Sequence, residues 1–419
     1  MRLRGALLAL LAWPLAAQEK TWFPVKVHGF LMGNLAVRSS GERPPGGEGG
    51  AFVLGEERLR LDVSGASKSG DVFLLFKGEV FHDAVANRAE GDLREGYAGY
   101  HRGPIDLRLG RQILTWGAGD LFFINDVFPK DWGSFFSGRP MEYLKQGMDA
   151  VRVQYSSEAL NVDVVATPFF RPDALPSPQR FFLYSPFPAA VRQVERTPAA
   201  RAANTEVALR LYRRLAGFDV SLYGYRGFWR TPGMRAGSAD DAAPVIRFYP
   251  RLAVVGAGAQ RNWLQGVLSL EAGRYQSPDD RGGADASIPN SEWRVLAGYQ
   301  RQLGRELTAN FQGYAEVLDH YDAYRKSLPG GSPRRDRVRG VFSLRLTQFL
   351  RYQSWKAAVF LACSPTDSDC FTQPEVSHRL SDRLSVALGA NIFGGRRETT
   401  FFGQMEKDDN VYLSARFDF

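Results

Sequence analysis

The sequence predicts an all-β fold: a transmembrane antiparallel up-and-down β-barrel of about 18 strands, with 16 the nearest alternative. Three observations predict it. Apolar side chains recur at every second position in segment after segment of about ten residues. The connections between these segments alternate short and long along nearly the whole chain, as the turns and outer loops of a membrane barrel do. The chain ends on an apolar stripe, Val411, Leu413, Ala415, Phe417 and Phe419. Composition agrees. With 44% hydrophobic, 13% aromatic and 23% charged residues among 419, the chain is too apolar to be disordered. Its 43 glycines are close to a tenth of the residues, above the usual ~7%. Past residue 20 no apolar run approaches the ~20 residues of a membrane-spanning helix.

Residues 1–17 read as a signal peptide. Arg2 and Arg4 form a basic start, Ala6 to Ala17 is almost wholly apolar, and Leu15-Ala16-Ala17 leaves small residues before Gln18. Residues 18–419 are then one exported barrel domain. Removal of Arg2 and Arg4 lowers the formal charge from +8 to +6, so the positive excess belongs to the exported part. The two cysteines, Cys363 and Cys370, bracket a turn-rich stretch and are expected to close a small disulfide loop in an oxidising compartment. A metal pair is the weaker reading, since no neighbouring His or second Cys pair completes a site.

From Val25 onward the alternation places strands near 25–38, 55–66, 70–82, 92–102, 105–116, 148–156, 160–169, 205–215, 217–229, 247–261, 263–276, 292–303, 307–318, 337–350, 353–363, 371–379, 383–394 and 410–418. In the first, Val25, Val27, Leu31, Leu35 and Val37 alternate with Lys26, His28 and Asn34; in another, Leu384, Val386, Leu388, Ala390 and Ile392 alternate with Ser385 and Asn391. Short connections fall at Ser64 to Gly70, Arg102 to Pro104, Ser157 to Ala159, Ala216 to Gly217, Leu303 to Arg305 and Ser381 to Asp382. Long ones run through 39–54, 117–147, 170–204, 230–246, 277–291, 319–336 and 395–409. A soluble sandwich has no reason for that asymmetry. Phe30, Tyr100, Tyr155, Trp229, Trp263, Trp293 and Trp355 lie near strand ends, where interface girdles form.

In the last strand Tyr412, Ser414, Arg416 and Asp418 face away from the apolar stripe. A soluble edge strand ending in exposed Phe-Asp-Phe would invite edge-to-edge aggregation. This strand resembles the C-terminal strand of bacterial outer-membrane barrels, and the resemblance implies that Phe417 and Phe419 are the signal read by the barrel-insertion machinery. Bacterial outer membrane is the expected location, with its lipid as one partner.

Enzyme chemistry is not indicated. The five histidines, His28, His82, His101, His320 and His378, show no HExxH spacing, and there is no GxSxG, P-loop or CxxCH haem site. No catalytic residue, cofactor or metal is expected. A barrel hydrolase would require a rim Ser or Asp within reach of His82, His101 or His320. The basic charges are dispersed over lumen and loops, which excludes a nucleic-acid face.

The long connection over 117–147 is expected to act as a constriction loop. It holds Asp120, Asp126, Lys130, Asp131, Arg139 and Lys145 beside Leu121, Phe122, Phe123, Ile124, Val127, Phe128, Trp132, Phe135 and Phe136, too apolar a set to sit freely in water. Folding into the barrel mouth would bury them. The run GRQILTWGAGDLFFINDVFPKDW, followed by YLKQGMDAVRVQY, resembles the GRQ…WG and Lys-x-Gly-x-Asp-Ala-x-Arg pattern of porin-like outer-membrane proteins. That group includes alginate-export-type channels and the barrels of porin–cytochrome electron conduits. It implies a porin barrel and leaves the solute unnamed. Arg111 is awkward: strict alternation puts it with Leu107, Leu109 and Ile113 toward lipid, and a bulge at Gly110 would be needed to turn it inward.

Alternation assigns twelve basic side chains to the lumen: Arg58, Arg60, Lys77, Arg108, Arg152, Arg210, Arg294, Arg337, Arg339, Arg345, Lys356 and Arg416. Eight acidic ones face them: Asp62, Glu79, Asp106, Glu206, Asp219, Glu292, Glu316 and Asp418. A lumen of 16 to 18 strands is wide enough for water, and its charged side chains set ion preference. The expected function is passive diffusion of small solutes with a preference for anions. Arg108, Arg111, Arg152 and Arg210, with the loop charges, are the expected pore-lining residues. The competing reading is a sleeve that encloses a multihaem cytochrome or another periplasmic partner and conducts electrons. The oligomeric state is left open by the sequence.

Overall fold

The computed structural model describes residues 23–45, 47, 50–187, 191–237 and 244–419, so the expected signal peptide and Gln18 lie outside the described residues. Eighteen antiparallel strands follow one another around a closed barrel, each paired with its chain neighbours. The first, Val25–Arg38, closes on the last, Asn410–Asp418, with Leu31 opposite Phe417 and Leu35 opposite Leu413. Closure leaves no unpaired edge, the condition for a sheet to stand in hydrocarbon.

Period two decides which face meets which solvent. In Val25–Arg38, Leu31 and Leu35 are exposed on the outer wall, while Phe30, Met32, Asn34, Ala36 and Arg38 are buried inside. The same outward apolar series continues through Leu61, Leu74, Leu109, Val255, Val295, Leu388 and Leu413. Tight turns join strands at one end. At Ala216-Gly217 and Leu264-Gln265 both central residues have positive φ, the turn geometry whose twist matches that of antiparallel strands.

Each of the eighteen expected strands has its counterpart, with ends displaced. Phe52–Ala66 starts earlier than alternation suggested, and Ile105–Ile113 stops before Thr115 and Trp116. The segment expected as one strand over 247–261 is divided into Val245–Phe248 and Arg251–Trp263. Pro250 lies between them, and a residue without N–H cannot carry the ladder through. Val245–Phe248 instead joins Gln193–Arg196 and Gly233–Ala236 in a small separate sheet among the outer loops. Two connections at the long-loop end are tight hairpins, after Asp83 and after Ser364. The second is closed by a disulfide between Cys363 and Cys370, which stand directly opposite in the ladder on the outer face.

Candidate constriction site

Beyond Ile113 the chain leaves the wall and folds into the lumen, returning at Gly147–Tyr155. Asp131 starts a short helix, Trp132–Phe136, by accepting from the Ser134 backbone N–H and hydroxyl, each at 2.7 Å. The helix carries Phe135 and Phe136 into an aromatic cluster on the wall. Phe136 meets Phe371 at 5.6 Å and Phe393 at 5.5 Å between centroids, edge to face, and Trp132 and Phe401 cover its outer side. A second cluster joins Trp116, Ile124, Val127 and Phe128 to Tyr223, Trp229 and Tyr275 across the lumen. Phe122 stacks on Tyr314 with centroids 5.0 Å apart. Full burial of one such ring is worth ~1.5–3 kcal/mol, so the cluster holds the loop inside.

Wall side chains satisfy the loop's backbone. Asn391 and Asn410 donate to the Phe136 carbonyl at 3.0 and 3.3 Å. The Asp120 N–H donates to Gln312 Oε1 at 2.9 Å, and Glu271 accepts from Ala118 N–H and from Asn125 Nδ2. Ion pairs complete the anchoring. Asp120 takes Arg345 at 2.5 and 3.1 Å; Glu142 takes Arg60 at 2.9 Å and Arg416 at 3.2 Å; Arg139 takes Glu56 at 2.6 and 3.0 Å. Asp126 lies between Lys130 at 3.0 Å and Lys145 at 3.8 Å. Burial pulls the Lys145 ammonium below its ordinary range, against the pull of Asp126.

The loop divides the lumen into two vestibules. One, of about 1300 Å³, opens toward the long loops and is lined by Phe122, Phe123, Arg294, Tyr314, Arg339 and Val341 among others. The other, of about 650 Å³, lies toward the short turns and is lined by Arg139, Arg345, Phe360, Glu375 and Arg416 among others. They meet along the strands Val338–Leu350 and Trp355–Ser364, where Val341 and Ala362 border the first and Arg345 and Phe360 the second. Phe135 borders both, and Arg345, which lines the second, ties the loop to the wall at Asp120.

The expected site residues are distributed as follows. Arg108 and Arg152 face the lumen and pair with Asp106 and Asp163; Arg210 donates to the Ser221 hydroxyl over the Tyr212 ring. Asp126 and Lys130 are buried in the loop, Asp131 serves as the helix cap, and Lys145 also donates to Thr115 at 2.8 Å. Arg111 is a correction. The ladder runs through Gly110 without a bulge, and Arg111 stays on the outer face, doubly bonded to Asp149 opposite it at 2.9 and 2.8 Å. Gly110 is needed for another reason: with φ +128°, a Cβ there would lie 2.3 Å from the Gly96 carbonyl oxygen.

The simple excess of inward positive charge is also corrected. Among the described residues, ten of the twelve inward basic side chains have a carboxylate within ion-pair distance, all but Arg210 and Arg337. Alternation missed Arg94, which a bulge opposite Lys77 and Gly78 turns inward to donate to the Glu142 carbonyl at 2.7 Å. Glu142 itself, a charge of the long loop with no periodic signal, lay outside the expected pore-lining set. The rim histidines do not assemble: His82 meets Glu57 at 3.1 Å, while His101, at the short-turn end, lies 3.8 Å from Asp106.

A closed antiparallel barrel of eighteen strands with a loop folded into its lumen is the architecture of outer-membrane porins. No known protein family matches the chain, and no curated protein matches it. In structure it is similar to OccK2 (OpdF) of Pseudomonas aeruginosa, crystallised with glucuronate, at TM-score 0.58 and 12% identity over 94% of this chain and 97% of that one. It is similar to OpdK of the same organism, crystallised with vanillate, at TM-score 0.57 and 11% identity over 94% and 98%. OccAB2 of Acinetobacter baumannii matches at TM-score 0.57 and 9% identity, again over 94% and 98%. At such identities the likeness is one of fold.

Proposed function

We propose that the protein is an outer-membrane channel through which small solutes diffuse, with a preference for anions, and that the junction at Asp120 and Arg345 is its constriction. One observation carries the reading: the loop divides the lumen into two vestibules that share Phe135, and an ion pair from the loop to Arg345 lies on the lining of the second. The short-turn vestibule adds a charge bias, with Arg139, Arg345, Lys356, Arg379, Arg383 and Arg416 on its lining against Glu375, Asp382 and Asp418. The relatives in fold were crystallised with glucuronate and vanillate, both small carboxylates, which supports the same solute class here.

A sleeve for a multihaem partner requires a clear lumen, and the loop occupies it. Single-channel conductance of the refolded chain in planar bilayers, with reversal potential under a salt gradient, tests the proposal. Discrete steps with anion preference, reduced in Arg345→Gln, are expected. No conductance from an inserted barrel, or cation preference, would overturn it.

A further inference from the structure

Three successive strands that descend to the short turns, Glu206–Leu215, Arg251–Trp263 and Glu292–Gly304, finish on one outward pattern. An arginine is followed two residues later by a large exposed apolar side chain: Arg213 by Leu215, Arg261 by Trp263, Arg301 by Leu303. Arg213, Leu215, Arg261, Trp263 and Arg301 share the face of the exposed Val207, Val255 and Val295, the outer wall of the barrel, and Leu303 is exposed at the bulge that ends its strand. One ascending strand separates each arginine from the next and the ladders offset each by two residues, so neighbours in the row stand about 12 Å apart. The apolar residue lies on the turn side of each arginine. Each guanidinium therefore sits inside the lipid-facing band rather than beyond it.

These arginines differ from those of the lumen. Among the described residues none of the three has a carboxylate within ion-pair distance, whereas most inward arginines do. Arg261 lies over the Phe218 ring at 5.0 Å. Arg301 donates to Gln265 Oε1 at 2.7 Å, and its Nε is buried without a partner. A cation on a lipid-facing wall is tolerated near the interface when its long stem lies along apolar surface and its head reaches polar groups.

We propose that Arg213, Arg261 and Arg301 form a docking row for the phosphate headgroups of anionic phospholipids in the leaflet on the short-turn side. Leu215, Trp263 and Leu303 flank those headgroups. Charge complementarity assigns the occupant: three unpaired guanidiniums in a row within the lipid band meet phosphate and no protein carboxylate. The row rests on the membrane-barrel reading and not on conduction, since none of the three lines the lumen.

The test is native mass spectrometry of the full folded barrel in neutral detergent with equal phosphatidylglycerol and phosphatidylethanolamine. Each arginine near a lipid surface favours the anionic lipid by about fivefold. The wild type is expected to retain phosphatidylglycerol at least about fivefold over phosphatidylethanolamine. The triple variant Arg213→Gln, Arg261→Gln, Arg301→Gln is expected to fall to near parity while keeping the wild-type conductance. Should the triple variant fail to fold, Arg261→Gln alone carries the test, with a partial loss expected. Parity in the wild type, an undiminished preference in the variants, or release of the bound lipid by inorganic phosphate would each overturn the assignment.

Discussion

The lumen loop is held at two ends by different physics. Around Phe135 and Phe136 it is held by rings packed against Phe360, Phe371 and Phe393, nearly all sealed from solvent. Around Asp120 and Glu142 it is held by ion pairs whose members, the buried Arg60 apart, remain partly exposed to the vestibules. Buried rings contribute kilocalories each and tolerate no loss of volume. Half-exposed ion pairs contribute ~0–1 kcal/mol and are screened by salt. The aromatic end therefore keeps the loop in place, and the ionic end sets where the passage lies and what charge it presents.

The largest effect is expected from Phe136→Ala. Deleting a fully buried ring that touches five others costs ~3–5 kcal/mol. Amides of residues 130–144 should lose protection in hydrogen exchange, while those of the barrel wall keep theirs, and conductance should become larger and irregular. Unchanged protection would break the comparison, because the loop would then be held by its charges.

Asp120→Asn probes the other end. The pair with Arg345 is about a fifth to a quarter exposed on each side, so its removal should cost about 1 kcal/mol or less. Loop protection should stay near wild type, while conductance rises as Arg345 is freed at the junction. A variant that loses protection as much as Phe136→Ala would erase the distinction. A milder change is Glu142→Gln, which releases Arg60 and Arg416 from the loop carboxylate. The reversal potential should move toward the anion limit at 0.1 M salt, with much of that shift lost at 1 M, where the screening length falls from about 10 Å to about 3 Å.

The wall was open to reading from the sequence in a way that the loop was not. Leu384, Val386 and Leu388 alternate because every second side chain of a barrel strand meets lipid, a local rule that needs no partner. Its exceptions arise where a partner matters. Arg111 remains outside because Asp149 stands opposite it, and Arg94 turns inward because its own strand bulges there against Lys77 and Gly78 of the next. Neither fact is local. The loop's aromatic content announced burial, yet which wall ring each Phe meets depends on how some thirty residues cross the lumen. The pairing of Asp120 with Arg345 joins positions far apart in the chain and has no periodic trace. The small outer sheet was hidden for the same reason, since its three short strands belong to different loops.

The smallest predicted effect concerns the outer support of the aromatic end. Phe401, Phe402 and Met405 pack beside Phe136 and Phe371, and the segment carrying them is fastened by Asp408, which accepts from the Phe182 N–H and from Arg38. Burial pushes the Asp408 carboxyl up to about 7, outweighing the Phe182 N–H and the Arg38 guanidinium. A carboxyl raised in the folded state contributes stability that is complete below its unfolded value near 4 and is lost as the pH rises through about 7. The segment 401–408 should therefore loosen between pH 5 and pH 8, seen as falling protection factors after correction for intrinsic exchange. Asp408→Asn keeps an acceptor for Phe182 without the charge, and should leave most of that protection constant over the same range. Asp409, raised in the same direction by its own burial, accounts for a small residual slope. If the variant keeps the full wild-type dependence, the aromatic end is titrated by some other group and its outer support does not run through Asp408.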